Sequence, residues 1–171
     1  LHSIALTAGL SVRVAVRLNP DVQANTHKHI ATGHGGAKFG MSAEAIRSLF
    51  ARAGELSALR FEGNHVHIGS QLHDTSATAE AVRAAVTLAR QQPTIHTIDI
   101  GGGFPVAYYP GETLPDFSAF AEAIAPIISG FQVVLEPGRA IVADAGVLLT
   151  RVQYLKESGG HMAIVDAGMT E

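Results

Sequence analysis

The chain has no cysteine, which removes disulfides, thiolate metal ligands and a cysteine nucleophile together and fits a cytoplasmic location. It also lacks an excess of charge of one sign. Twelve Lys and Arg stand against 15 Asp and Glu, a net charge of -3, and no basic tract interleaves with aromatics, so a nucleic-acid partner is excluded. No apolar run approaches the roughly 18 residues of a membrane span, and the opening "LHSIALTAGLSVRVAVRL" lacks the charged-then-apolar order of a signal peptide. No membrane partner is expected. What is there, 47% hydrophobic and 16% charged residues over 171 positions, is the composition of a globular domain. A first residue Leu1, and an apolar strand "HMAIVDAGM" with no closing element after it, read as a piece cut from a longer protein.

Strand-like and helix-like segments alternate. "VRVAVRLNP" (12–20) is a β-branched run stopped by Asn-Pro, and "SAEAIRSLFARAG" (42–54) places Ile46, Leu49, Phe50 and Ala53 at helical spacing between a Ser42 N-cap and the stop Gly54. "ALRFEGNHVHIGS" (58–70) predicts the next strand, and 76–91 a helix with Val82, Ala85, Val86 and Ala89 on one face. "TIHTIDIGGG" (94–103) gives a third strand, 115–129 a helix with Phe117, Phe120, Ile124, Ile127 and Ile128 inward, and "FQVVLEPGR" a fourth strand. Such βα repeats imply a parallel sheet, doubly wound or part of a (β/α)8 barrel. The polar chemistry of "NPD", "HVHIGSQ", "DIGGGFP" and "EPGR" falls at the carboxyl ends of successive strands, the ends that a barrel gathers around one mouth. A barrel needs about 250 residues, so these units supply about half of one. Residues 1–140 therefore read as a partial barrel. From 141 to 171 the texture changes to two β-rich runs around "ESGG", the opening of an antiparallel domain.

The site candidates follow from those strand ends. Gly101, Gly102 and Gly103 leave a stretch of backbone whose N–H groups can converge on a phosphate, although three glycines also make a tight turn. There is no GxxxxGK[ST] and no complete GxGxxG, so neither a nucleoside triphosphate nor a dinucleotide is favoured. Glu136 and Arg139 place opposite charges at the end of an apolar run, with Pro137 fixing the bend and Gly138 allowing a close approach of backbone. His65 and His67 lie two apart and face one side of a strand. They could hold a zinc ion in a (β/α)8 hydrolase. Alternatively one imidazole offers a flat stacking surface while Gly69 and Ser70 serve a phosphate. A third reading, preferred for His65, is a hydrogen-bonded core histidine. His27, His29, His34, His73 and His96 read as surface or loop residues.

"RLNPDVQANTHKHIATGHGGAKFGMS", "HVHIGSQ", "DIGGGFP", "LEPGRAIVADAGVLLTRV" and "VDAGM" resemble, in order and character, the segments of the pyridoxal-phosphate-dependent decarboxylases of the alanine-racemase-like barrel class. The resemblance implies a fold: an α/β chain forming the C-terminal half of a pyridoxal-phosphate-binding (β/α)8 TIM barrel, plus the start of a β-rich C-terminal domain. It implies pyridoxal 5'-phosphate as cofactor and no metal. His67 would stack on the cofactor ring, Ser70 and Gly101, Gly102 and Gly103 would hold its phosphate, and Glu136 would hydrogen-bond the pyridine nitrogen. Arg139, reached through Pro137 and Gly138, would face either the phosphate or a carboxylate of the substrate.

Gln71 and the "NPD…THKHIATG…KFG" segment resemble the diaminopimelate branch, where ornithine enzymes tend to have glycine in place of Gln71. The implied activity is decarboxylation of an amino acid, meso-2,6-diaminopimelate, to L-lysine, the last step of lysine biosynthesis, by a homodimer with its active site at the subunit interface. The alternatives are an ornithine- or arginine-type decarboxylase, a metal-dependent hydrolase, and a non-catalytic truncated copy. The lysine that carries the cofactor covalently lies, in such enzymes, on a strand upstream of this segment. Lys38 is not that residue: it stands in "AKFG", with Ala37 where the family has serine. No catalytic residue is thus assigned within these 171 residues, and the piece alone is expected to be inactive.

Overall fold

Val12, Val14 and Val16 alternate with Arg13, Ala15 and Arg17, and this period of two forms β1 (Val12–Arg17), with Val16 buried and Arg13 and Ala15 exposed. The computed structural model describes residues 1–22 and 38–168. Its elements run α1 (His2–Thr7), β1, α2 (Ala43–Ala51), β2 (Leu59–His65), α3 (Ser76–Ala89), β3 (Thr97–Asp99), α4 (Phe117–Ile124), β4 (Gln132–Val134), α5 (Gly138–Val142), β5 (Val152–Glu157) and β6 (His161–Val165). They divide into two units, Leu1–Ile141 and Val142–Glu171.

In the first unit all strands pair in parallel, in the order β1-β2-β3-β4. Each crossover returns the chain to the same end, so every strand points its carboxyl end the same way. Helix α3 covers the sheet with Val82, Ala85 and Val86 at no more than 2% exposure, in one core cluster with Phe61 and Ile98 from the strands and Val66 and Ile100 just beyond their ends. Burial of each valine, isoleucine or phenylalanine among them is worth about 1.5–3 kcal/mol. Asn64, fully buried, donates from Nδ2 to the Ala85 carbonyl at 3.1 Å and so ties β2 to α3. Ser42 and Asp116 cap α2 and α4, accepting from the Ala45 and Ala119 N–H groups at 3.1 and 2.8 Å. The second unit is a hairpin: β5 and β6 pair antiparallel, from Val152↔Val165 to Glu157↔His161, around Ser158, Gly159 and Gly160.

Several boundaries differ from the sequence reading. The strands are shorter at their carboxyl ends than 12–20, 58–70, 94–103 and 131–139, because the ladder stops where the polar and glycine-rich ends begin. Helix α4 ends at Ile124 instead of 129, and Phe117 is 51% exposed instead of inward. As the first helical residue, it lies over the Phe104 ring, centroids 4.8 Å apart, with its outer side open. Gly54 does not stop α2; it lies within a 3-10 turn, Ala53–Glu55. The β-rich run expected from 141 is first helical, α5 followed by the 3-10 turn Ala143–Ala145. Helix α1 has no counterpart in the sequence reading. His27, His29, His34, Ala37, the "THKHIATG" segment and Met169 lie outside the described residues.

Candidate functional site

Strand order determines what can meet at the carboxyl edge of the sheet. Arg17 ends β1, His65 ends β2 with His67 two residues on, Asp99 ends β3 ahead of the glycines, and Glu136 follows β4. Backbone bonds stitch these ends together beyond the regular ladder: Val66 N–H to the Asp99 carbonyl at 2.9 Å, Ile100 N–H to Val134 at 3.1 Å, and Glu136 N–H to Gly101 at 2.8 Å.

The three glycines are required by close approach. A Cβ on Gly101 would lie 2.6 Å from the Val66 carbonyl oxygen, one on Gly102 2.2 Å from that of Glu136, and one on Gly103 2.4 Å from that of Gly69. Gly101 and Gly103 also take φ values of +70° and +96°, which side chains disfavour. The loop offers fewer free donors than its sequence suggests. The Gly101 N–H donates to the Asp99 carboxylate at 2.9 Å, and the Gly102 N–H to His67 Nδ1 at 3.2 Å; only the Gly103 N–H has no partner among the described residues. Gly138 is different again. A Cβ there would meet nothing within 4 Å, so the close approach expected at this glycine is absent among the described residues.

Accepting from Gly102 leaves His67 Nδ1 without a proton and places the ring proton on Nε2. Burial holds the His67 pKa below the ordinary histidine value, and the Arg17 guanidinium adds to the effect. Arg17 reaches it by donating from Nη2 to the His67 carbonyl at 3.3 Å, with its guanidinium 5.1 Å from the Phe39 ring centroid. Burial raises the Asp99 pKa against the opposing bond from Gly101. The Glu136 carboxylate, half exposed, stands 3.4 Å from His65 Nε2 and 3.9 Å from His67 Nδ1. His65 is thus not the satisfied core histidine of the sequence reading: its Nε2 is buried with no hydrogen-bond partner among the described residues. His65, Asp99 and Glu136 bring ligand-capable atoms within 4.8 Å of one another. That set omits His67, so the donors are not the His-x-His pair on which the zinc reading rested.

Arg139, on α5, donates from Nε to Ser70 Oγ at 3.2 Å and from Nη1 to the Tyr108 hydroxyl. The structure therefore brings His67, the glycine loop and Glu136 into one network, and Ser70 and Arg139 into another that the loop from Gly103 to Tyr108 joins to the first. Pro137 links them covalently, and Gly138 N–H donates to the Glu136 carbonyl at 2.9 Å. Surface histidines behave as read: His73 and His96 are exposed. Sequence reasoning passed over Arg17, Asp99 and Tyr108. The first two carried a legible signal, a charged side chain at the carboxyl end of a parallel strand; Tyr108 carried none.

These residues suit pyridoxal phosphate. An acidic group for a protonated ring nitrogen stands beside a half-buried imidazole, a guanidinium bonded to a hydroxyl is available for a phosphate along with an N–H that has no partner among the described residues, and the glycine backbone is stripped of Cβ atoms.

The model of the pyridoxal-dependent decarboxylases, pyridoxal binding domain, matches residues 1–143. The diaminopimelate decarboxylase of Aquifex aeolicus is 39% identical over all of this chain and 42% of its own length. That of Pseudomonas aeruginosa is 40% identical over all of this chain and 43% of its own. Among solved structures, Helicobacter pylori diaminopimelate decarboxylase complexed with L-lysine superposes with a TM-score of 0.84 at 33% identity, over 98% of this chain and 44% of that one. The chain spans less than half the length of these relatives.

Proposed function

The chain belongs to the family of pyridoxal-dependent decarboxylases, and from that premise we propose that the protein it forms part of decarboxylates meso-2,6-diaminopimelate to L-lysine. Its sheet is part of the family's pyridoxal-phosphate-binding barrel. The observation that carries the reading is the pairing, at one sheet edge, of Glu136 beside two imidazoles with Arg139 held by Ser70 and Tyr108. Pyridoxal phosphate, when bound, draws electrons into its ring and so accommodates the pair left behind as carbon dioxide departs.

The side chains supply the setting for that chemistry. Glu136 keeps a proton on the pyridine nitrogen. His67 offers its ring face, held flat by the Gly102 bond at Nδ1. Ser70, the Gly103 N–H and Arg139 receive the phosphate, with Gly101 and Gly102 holding the backbone close beneath it. Pro137 and Gly138 bring Arg139 back from Glu136. The planar fork of Arg139 also suits the distal carboxylate of diaminopimelate, whereas it repels the ammonium at the end of ornithine.

The relatives named as diaminopimelate decarboxylases, and the L-lysine bound in one of them, support this substrate over ornithine or arginine. Family likeness further supports a homodimer with its active site at the subunit interface, and the absence of cysteine supports a cytoplasmic location; no helix among the described residues is long and apolar enough to cross a membrane. Residues 1–140 are assigned to the barrel and 141–171 to the opening of a β-rich domain. The test is steady-state kinetics of the full-length protein with diaminopimelate, ornithine and arginine. Diaminopimelate should give the highest kcat/KM; a higher value for ornithine or arginine overturns the substrate, and release of carbon dioxide from none of them overturns the reaction. In Arg139→Lys, a raised KM for diaminopimelate with cofactor affinity intact assigns Arg139 to the distal carboxylate, whereas weakened cofactor affinity assigns it to the phosphate.

A further inference from the structure

Gln71 adopts φ +55°, in the left-handed region that side chains other than Gly, Asn and Asp avoid. A non-glycine residue is retained where its side chain does something that the backbone alone cannot. Here the carboxamide closes on a single residue from both sides. Its Nε2 donates to the Val106 carbonyl at 2.5 Å, and its Oε1 accepts from the Val106 N–H at 3.1 Å. Both partners are backbone, so the amide orientation is fixed by donor and acceptor alike.

Val106 stands in the loop that leaves the glycines. Phe104 anchors the start of that loop in the core against Phe120, ring centroids 5.1 Å apart. Beyond Val106, the Tyr108 N–H donates to the Glu112 carboxylate at 2.8 Å, and the Tyr108 hydroxyl accepts from Arg139 Nη1. Arg139 then returns to Ser70, the neighbour of Gln71 in sequence, through Nε. The contacts close a ring: Gln71, Val106, Tyr108, Arg139, Ser70. With Nε and Nη1 committed, the guanidinium is held in one orientation, and Nη2 has no partner among the described residues.

We propose that Gln71 is a specificity-determining positioning residue: its carboxamide clamps Val106, fixes the loop that presents Tyr108, and through Tyr108 orients Arg139 for the distal carboxylate of an amino-acid substrate. The proposal deepens the reading of Arg139 above and rests on it. The role assigned to Gln71 runs through the loop, by its two bonds to Val106.

Three variants of the full-length protein separate the clamp from the turn. Gln71→Gly relieves the left-handed backbone while deleting the carboxamide, so a turn-only role predicts unchanged or improved stability and kinetics. Gln71→Asn tolerates the same φ but is one methylene too short to span Val106. Both should raise KM for diaminopimelate about tenfold, the loss of two backbone hydrogen bonds' worth of orientation, with kcat within about twofold. Tyr108→Phe should raise KM likewise, and Gln71→Gly with Tyr108→Phe should be no worse than either alone, because both act on one chain of contacts.

Amide hydrogen exchange in the cofactor-free protein supplies a readout independent of turnover: the Val106 amide should lose protection in Gln71→Gly and Gln71→Asn. Wild-type KM in either clamp variant, additive effects in the double variant, or full protection of Val106 overturns the proposal. Should the wild type prefer ornithine, the substrate reading fails by itself, and the exchange result still decides the clamp.

Discussion

Two neighbouring residues of one three-residue strand belong to different parts of the molecule. Ile98, fully buried, packs beneath α3, while Asp99 stands at the sheet edge among His65, His67 and Glu136 with its pKa raised. One step of the pleat separates them. The layer between sheet and helix is apolar and closed, and the rim of strand ends is polar and partly open, with the Glu136 side chain half exposed. The difference teaches that stability and chemistry are written on alternate positions of the same strands, so substitutions in the two regions should move different observables.

The largest expected effect comes from the closed layer. Ile98→Ala should cost about 3 kcal/mol of unfolding free energy, within the usual range for a buried isoleucine with little room to collapse, read as a lower urea midpoint at unchanged slope. The molecules that remain folded should bind cofactor as before. A loss of cofactor affinity in the folded fraction would break the separation between the two regions. Next in size is the rim. Glu136→Ala should lower turnover by at least about a hundredfold, comparable to removing a preorganised electrostatic partner, while leaving the urea midpoint in place and some cofactor bound through Ser70, Gly103 and Arg139. A destabilisation matching that of Ile98→Ala would show that the rim also carries the fold.

The closed layer was largely legible in the sequence, because Val82, Ala85, Val86 and Ala89 repeat at helical spacing and Ile46 does so in α2. The parallel order followed from the βα alternation. Strand ends were not legible: periodicity continues through "HVHIGS" and "TIDIGGG" although the ladder stops at His65 and Asp99, since backbone pairing depends on the neighbouring strand and not on the strand's own pattern. At the site, His67, Gly101 to Gly103, Glu136 and Arg139 carry strong local signatures, and the structure places them at the carboxyl ends of the strands and just beyond. Arg17 carried the signal of a charge at a strand end but not its contact with His67, 50 positions on, and Tyr108, whose partner lies 31 positions away, carried no local signal at all. Gly138 carries the signature of a close approach, and among the described residues no neighbour fills the space around its Cβ.

A smaller effect sharpens the same boundary at His67, which is half in each region. His67→Ala removes a stacking face worth on the order of 1 kcal/mol and the acceptor of the Gly102 N–H. Cofactor affinity, followed by absorbance on titration with pyridoxal phosphate, should weaken by about fivefold at that cost. Unchanged affinity would assign His67 to the structural layer alone.

The smallest effect is on stability against pH, and its sign follows from the direction of the shift. The folded protein binds a proton at His67 less readily than the unfolded chain does, because burial and the Arg17 guanidinium oppose the charge, while Glu136 and Asp99 only partly favour it and His65 disfavours it further. Protonation would also require Nδ1 to give up the Gly102 N–H. No cost arises well above the unfolded value of 6.5; it grows as pH falls through that value and levels off below the depressed folded one. Asp99 acts in the other direction. Its folded pKa is raised, so its ionised form burdens the folded state at neutral pH, and that burden lifts only as pH falls toward the raised value. The interval from about pH 7.5 to about 5.5 spans the unfolded histidine value of 6.5, and Asp99 is common to the wild type and to a His67 variant, so comparing the two isolates the histidine. His67→Asn keeps an acceptor for Gly102 and removes the titration, so its melting temperature should fall less over that interval than the wild type's. Parallel curves would mean that the imidazole exchanges its proton without disturbing the Gly102 bond, and the rim would then be softer than its hydrogen bonds indicate.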